Sequence, residues 1–132
     1  MTNKKQGFLG SDMEKKVSEI KRICESILEK KGMEKKEAAI LADEYIEGEL
    51  LGKTSHGLQA FPRLVEKLLP FPKKWEIEKE THAMAFINAN SYFGQIVASV
   101  AADLAADKAS REGIATVAIK NLRSWLRPRT PA

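Results

Sequence analysis

Apolar residues recur at helical spacing through Val17, Ile20, Ile23, Cys24, Ile27 and Leu28, which predicts a first amphipathic helix. Ser11 with Glu14 forms a capping box at its start, Lys30 and Lys31 suit the negative end of its dipole, and Gly32 terminates it. Residues 1–10 then read as a flexible arm. A second helix is predicted over Lys35 to Leu51, burying Ala38, Leu41, Ala42, Tyr45 and Ile46, with Gly52 as its C-cap. The helical pattern resumes with Leu64, Val65, Leu68 and Leu69, provided Pro62 lies in the first turn, where its missing N–H is not needed.

Pro70 and Pro72 then break the pattern. The charged alternation from Trp75 to Glu80 predicts an exposed strand, and Ala83 to Ala89 a more buried one. Asn90 or Ser91 can cap a long helix whose stripe is Phe93, Ile96, Val97, Val100, Ala101, Leu104 and Ala105, with Gly113 as its stop. Ile114 to Ile119 is a continuous apolar strand, so strand, helix and strand together predict a parallel βαβ crossover. The expected fold is α/β: a helical N-terminal lobe of two to three helices over residues 11–72, followed by the strand-helix-strand of an incomplete sheet domain over 73–120.

Composition changes the picture at the C-terminal end. Three of the six arginines fall in the last ten residues, whereas all sixteen lysines precede Asn121. With Pro128 and Pro131 blocking a strand or helix, residues 121–132 read as an aberrant, disordered tail. Elsewhere, 22 basic and 18 acidic residues are interleaved, so the net charge of +4 marks no basic stripe and predicts no nucleic-acid partner. The single cysteine, Cys24, lies on an apolar helical face and reads as a buried thiol in a reducing, cytoplasmic compartment. No stretch has the length and apolarity of a signal peptide or membrane span, so no membrane association is expected.

The chemistry concentrates at Ser55-His56-Gly57, between the end of the second helix and the next helical run. Connections of this kind carry much of protein chemistry. An imidazole exchanges a proton near neutral pH, with a reference pKa of about 6.5, which makes His56 a candidate general acid or base. The alternative is a capping histidine that completes a turn. Ser55 can orient the ring, bind substrate or cap a helix. The other histidine, His82, falls between two predicted strands and reads as a surface residue.

From Leu41 to Asn121 the chain resembles the N-terminal part of the malate/L-lactate dehydrogenase family, the non-Rossmann NAD(P)-dependent 2-hydroxyacid oxidoreductases that include sulfolactate and ureidoglycolate dehydrogenases. The resemblance rests on Glu49, Leu50 and Gly52, then the SHG tripeptide, Phe61 to Arg63, Phe93 to Gln95, an alanine-rich helix, and Glu112 to Asn121 in that order. It implies that His56 is the acid/base or substrate contact. It also implies that Asn121 belongs to the cofactor-binding part, most of which follows it. NAD or NADP is the implied cofactor of the full-length family, not held tightly by this chain. The implied partners are a small 2-hydroxyacid or 2-oxoacid and a second subunit in a homodimer.

The chain departs from the family pattern in places. Ala60 and Leu64 stand where many relatives carry an arginine and a tyrosine, and Ser124 stands where a second histidine is expected. Arg63 can substitute for the carboxylate contact if it shares the face of His56; the alternative, which the pattern favours, is a solvated helix arginine. The chain is expected to be roughly the first third of such a subunit, with the tail the product of a frameshift or premature stop, and inactive alone. No GxGxxG or Walker loop and no metal-ligand spacing occurs. The competing reading is a non-catalytic helical interaction module that uses its apolar faces to bind a partner.

Overall fold

The computed structural model describes residues 2–68 and 70–123, with side chains from residue 12. In chain order the elements are α1 (Thr2–Lys30), α2 (Lys35–Leu50), two short 3-10 turns (Thr54–His56 and Leu58–Ala60), α3 (Phe61–Glu66), β1 (Glu76–Glu80), β2 (Met84–Asn88), α4 (Gly94–Glu112) and β3 (Thr116–Lys120). They divide into two units, Met1–Lys67 and Leu68–Ala132, a boundary a few residues earlier than the proline pair suggested. The expectation of a disordered tail falls mostly on residues 124–132, outside the described residues.

In the first unit, α1 and α2 pack on one another. Helix α1 starts at Thr2, so the flexible arm expected over residues 1–10 is helical backbone from that residue on. No proline interrupts residues 2–10, and Gly7 and Gly10 lower helix propensity without blocking it. The apolar stripe of α1 is wider than its partner covers. Cys24 and Leu28 are buried, while Ile20 and Ile23 remain 37% and 53% exposed, contrary to the burial their spacing predicted. Lys21 Nζ reaches Asp43 Oδ1 at 2.7 Å and ties the two helices.

Both helices end in the same way. Gly32 at φ 107° allows Gly32 N–H to donate to Glu29 O and Met33 N–H to Leu28 O, at 3.0 and 3.2 Å. This is a Schellman stop, and the flanking Leu28 and Met33 are both buried. Gly52 at φ 71° repeats it, with Gly52 N–H to Glu49 O at 3.0 Å and Lys53 N–H to Gly48 O at 2.8 Å. In α2, Ala38, Leu41, Ala42, Tyr45 and Ile46 are all buried, as the pattern predicted.

In the second unit the strand order is β1-β2-β3. Strands β1 and β2 are antiparallel, and β2 runs parallel to β3 in the register Met84↔Thr116 to Asn88↔Lys120. The predicted crossover is therefore present. Helix α4 packs on β2 and β3. Ala85 and Ile87 are buried, whereas Met84 and Phe86, pointing to the opposite face, are 42% and 41% exposed. The register shifts between Ile77 and Lys79. At this irregularity Glu78 accepts from Asn88 Nδ2 at 3.1 Å and pairs with Lys120 Nζ at 2.8 Å. The hydrogen bond from Lys120 is the main reason the Glu78 carboxyl is held below its ordinary value.

The start of α4 differs from the expected Asn90 or Ser91 cap. Its N-cap is Phe93, without a side-chain capping bond, and Asn90 and Ser91 take φ of 51° and 59°. The chain turns from β2 into α4 within a few residues, and left-handed backbone there brings Tyr92 and Phe93 inward against Phe71, with ring centroids 6.2 and 6.1 Å from it and 4.8 Å from one another. Near the other end of α4, Lys108 is 3% exposed and donates to Thr81 O at 2.6 Å, with Glu80 Oε1 at 2.9 Å. Beside it lies a cavity of about 550 Å³ lined by Glu80, Thr81, His82, Lys108, Arg111 and Glu112. The exposed His82 is where the sequence placed it.

Candidate functional site

The loop that carries Ser55 and His56 is held against the end of α2 by backbone more than by side chains. Beyond the Gly52 stop, His56 N–H donates to Lys53 O at 2.9 Å, which closes the first 3-10 turn, and Ala60 N–H donates to Gly57 O at 3.0 Å in the second. Two glycines permit the contact. A Cβ on Gly48 would lie 2.8 Å from the carbonyl carbon of His56 and closer still to its oxygen. A Cβ on Gly57 would lie 3.0 Å from both Cα and N of Glu49. The Glu49 carboxylate then accepts Leu58 N–H at 3.0 Å. Next in the chain, Phe61 is buried edge-on against Tyr45 of α2, with centroids 5.5 Å apart at 80°. Pro62 lies in the first turn of α3, where its ring fits.

His56 is half-buried, and its Nδ1 is shielded from water with no hydrogen-bond partner. Neither 3-10 turn has a side-chain cap. A buried nitrogen without a partner is destabilising by roughly 1–3 kcal/mol. Such an atom calls for an explanation.

Ser55 is exposed one residue away, and Arg63 is exposed on α3. All three belong to the first unit, within nine residues of one another. Asn121 belongs to the second unit. It follows β3 at φ 54°, donates from Nδ2 to Asn88 Oδ1 at 3.1 Å, and accepts Ser91 N–H on its carbonyl at 2.9 Å. Reasoning from sequence missed Gly48, and it took Glu49 only as a motif letter. The available signal was a glycine inside a helical pattern, which is unfavourable by about 1 kcal/mol against alanine and so asks for a packing reason.

The match to known proteins follows the same segments. The family model described as malate/L-lactate dehydrogenase covers residues 16–129, running past Asn121 into the segment whose composition changes. The chain belongs to the malate/L-lactate dehydrogenase family. The malate/(S)-sulfolactate dehydrogenase of Methanothermus fervidus is 39% identical over 97 residues, which are 70% of this chain and 29% of that protein. The L-sulfolactate dehydrogenase of Methanocaldococcus jannaschii is 35% identical over 106 residues, 76% of this chain and 30% of that one. The solved sulfolactate dehydrogenase structure from M. jannaschii superposes with a TM-score of 0.71 at 33% identity, over 80% of this chain and 32% of that one. The malate dehydrogenase structure from Pyrococcus horikoshii gives 0.72 at 27% identity, over 83% and 32%. The chain therefore spans about 30% of the length of the relatives it matches.

Membership implies a nicotinamide cofactor for the family. Around Asn121 the hydrogen-bonding groups are partly engaged within the chain. The Asn121 amide and carbonyl are committed to Asn88 and Ser91, and the adjacent Lys120 is paired with Glu78. Among the described residues, no group of three or more His, Cys, Asp or Glu could hold a metal ion, and no helix is long and apolar enough to cross a membrane.

Proposed function

We propose that this chain supplies the acid/base portion of a 2-hydroxyacid dehydrogenase site, with His56 exchanging the proton of the substrate hydroxyl. The observation that carries the reading is the half-buried His56 in a loop fixed to α2 by close glycine contacts, within the segment that matches the dehydrogenase family. Oxidising a 2-hydroxyacid removes the hydroxyl proton as hydride leaves the same carbon, which requires a base within hydrogen-bond reach of the alcohol. Ser55 provides a hydroxyl to substrate, and Arg63 a guanidinium to its carboxylate, in place of the side chains that Ala60 and Leu64 lack. Malate, lactate or sulfolactate is the substrate class, on the strength of the relatives' names. In the full-length protein NAD or NADP would supply the hydride acceptor, with Asn121 on the side that would hold it, and a second subunit would complete a homodimer.

The test is an NMR titration of the chain with L-malate, L-lactate and L-sulfolactate, following the His56 ring. Millimolar ligand is expected to shift the His56, Ser55 and Arg63 resonances together, with His56→Gln abolishing the response. Unchanged His56 resonances with all three acids would sink the reading. Added NAD or NADP is expected to give no turnover in the chain alone.

A second reading is favoured by Met13, Ile20 and Ile23, which leave one side of α1 61%, 37% and 53% exposed. In it the chain is an interaction module that binds through that helix. His56→Ala would then leave binding intact, and Ile20→Glu with Ile23→Glu would remove it.

A further inference from the structure

We infer that Glu49 is a positioning residue for His56, acting through the backbone of Leu58; the inference rests on the acid/base reading of His56. Glu49 occupies the last turn of α2, where the unpaired carbonyls of a helix end disfavour a nearby carboxylate. An acid at that place needs a compensating contact. The structure supplies one: Glu49 Oε2 accepts Leu58 N–H at 3.0 Å. Leu58 opens the second 3-10 turn, and neither that turn nor the one containing His56 has a side-chain cap within itself. Glu49 therefore does from α2 what a cap residue does locally, holding an N–H that the turn leaves open.

The effect on His56 follows from the neighbouring contacts. Gly57 lies against the Glu49 backbone, and the His56 carbonyl lies against Gly48. The two residues that bracket the peptide between His56 and Gly57 are thus adjacent in α2, and the Glu49 side chain closes the far end of the same contact at Leu58. Without that bond, the His56 side of the loop keeps its steric fit to Gly48 and its backbone bonds but loses the side-chain bond that closes the contact at Leu58. The imidazole then samples several orientations instead of the one that buries Nδ1. Glutamine retains an acceptor oxygen at the same reach, so charge is not the requirement. Alanine removes the acceptor.

The experiment uses the 132-residue chain. In unmodified protein, a through-hydrogen-bond coupling between the Leu58 amide nitrogen and the Glu49 side-chain carboxyl carbon is expected, and its absence would overturn the proposal without any variant. Glu49→Ala is expected to speed Leu58 amide exchange by about tenfold, as loss of its hydrogen bond implies, and to shift and broaden the His56 ring resonances. Glu49→Gln should restore both to near the unmodified values. Unchanged Leu58 exchange in Glu49→Ala, or a Glu49→Gln variant indistinguishable from it, would overturn the proposal. These readings are taken without substrate. A failed malate titration therefore removes the acid/base reading, whereas a silent Leu58 removes the role of Glu49.

Discussion

The His56 carbonyl occupies the space that a side chain on Gly48 would need, with its carbon 2.8 Å from the position of an added Cβ. The active-loop candidate is therefore seated on α2 by the lack of a side chain. Gly48→Val should expel the loop and lower stability by about 1–3 kcal/mol, the range for overpacking. Thermal unfolding measures the loss, and the His56 and Gly57 amide shifts locate it. Gly57→Ala should act in the same direction from the other side of the contact, since its Cβ would meet Glu49.

Removing the imidazole should stabilise the chain. His56 Nδ1 is buried without a partner, so His56→Leu exchanges an unsatisfied polar atom for apolar volume. A gain of about 1 kcal/mol is expected, together with loss of the malate response. Urea midpoints at unchanged slope decide the first part. A lower midpoint would show that the ring is structural.

Lys108 joins α4 to the turn between β1 and β2, with a side chain only 4% exposed. Lys108→Ala loses the bond to Thr81 O and the packing of its stem, but leaves Glu80, 49% exposed, within reach of water. The expected loss is about 1–3 kcal/mol, below the value for stranding a fully buried charge. Lys108→Met, which keeps the stem, should recover part of it in the same denaturation assay.

The pH dependence has a definite sign at both ends. Burial pushes the Cys24 thiol up, with Glu25 adding to the shift, and the hydrogen bond to Asp43 raises Lys21. Both groups bind protons more tightly when folded, so their stabilisation is present below their unfolded values and is lost as pH rises through the alkaline range. Glu78 is the opposite case: its lowered value contributes stability above the ordinary carboxylate range, lost as pH falls. Unfolding midpoints across pH should show an alkaline decline that Lys21→Met reduces. Cys24 should react with thiol reagents only as fast as the chain opens.

Asn121 sits in left-handed backbone at φ 54° after β3. Asn121→Gly should be tolerated with little change, because glycine takes that conformation freely, whereas Asn121→Val should lose about 1–2 kcal/mol. Equal effects of the two substitutions on the melting temperature would show that the amide bond to Asn88, not the backbone, is what matters.

Local chemistry determined much of this protein by itself. The glycines that stop α1, α2 and α4 were legible because only glycine takes positive φ without strain, and the βαβ order was legible because an apolar run, a long stripe and a second run admit few alternatives. The order of motifs from Glu49 to Asn121 likewise identified the family that the comparisons show. Tertiary structure decided the rest. Periodicity counts an apolar residue as buried whether or not a partner covers it, so Ile20 and Ile23 looked like core and are exposed. The cap expected at Asn90 or Ser91 yielded to left-handed backbone, because the short connection into α4 must bring Tyr92 and Phe93 onto Phe71. The seating of His56 depends on contacts between residues eight or nine apart, Gly48 with His56 and Glu49 with Leu58. No local pattern encodes such a contact, since it forms only where the Gly52 turn folds the chain back onto α2.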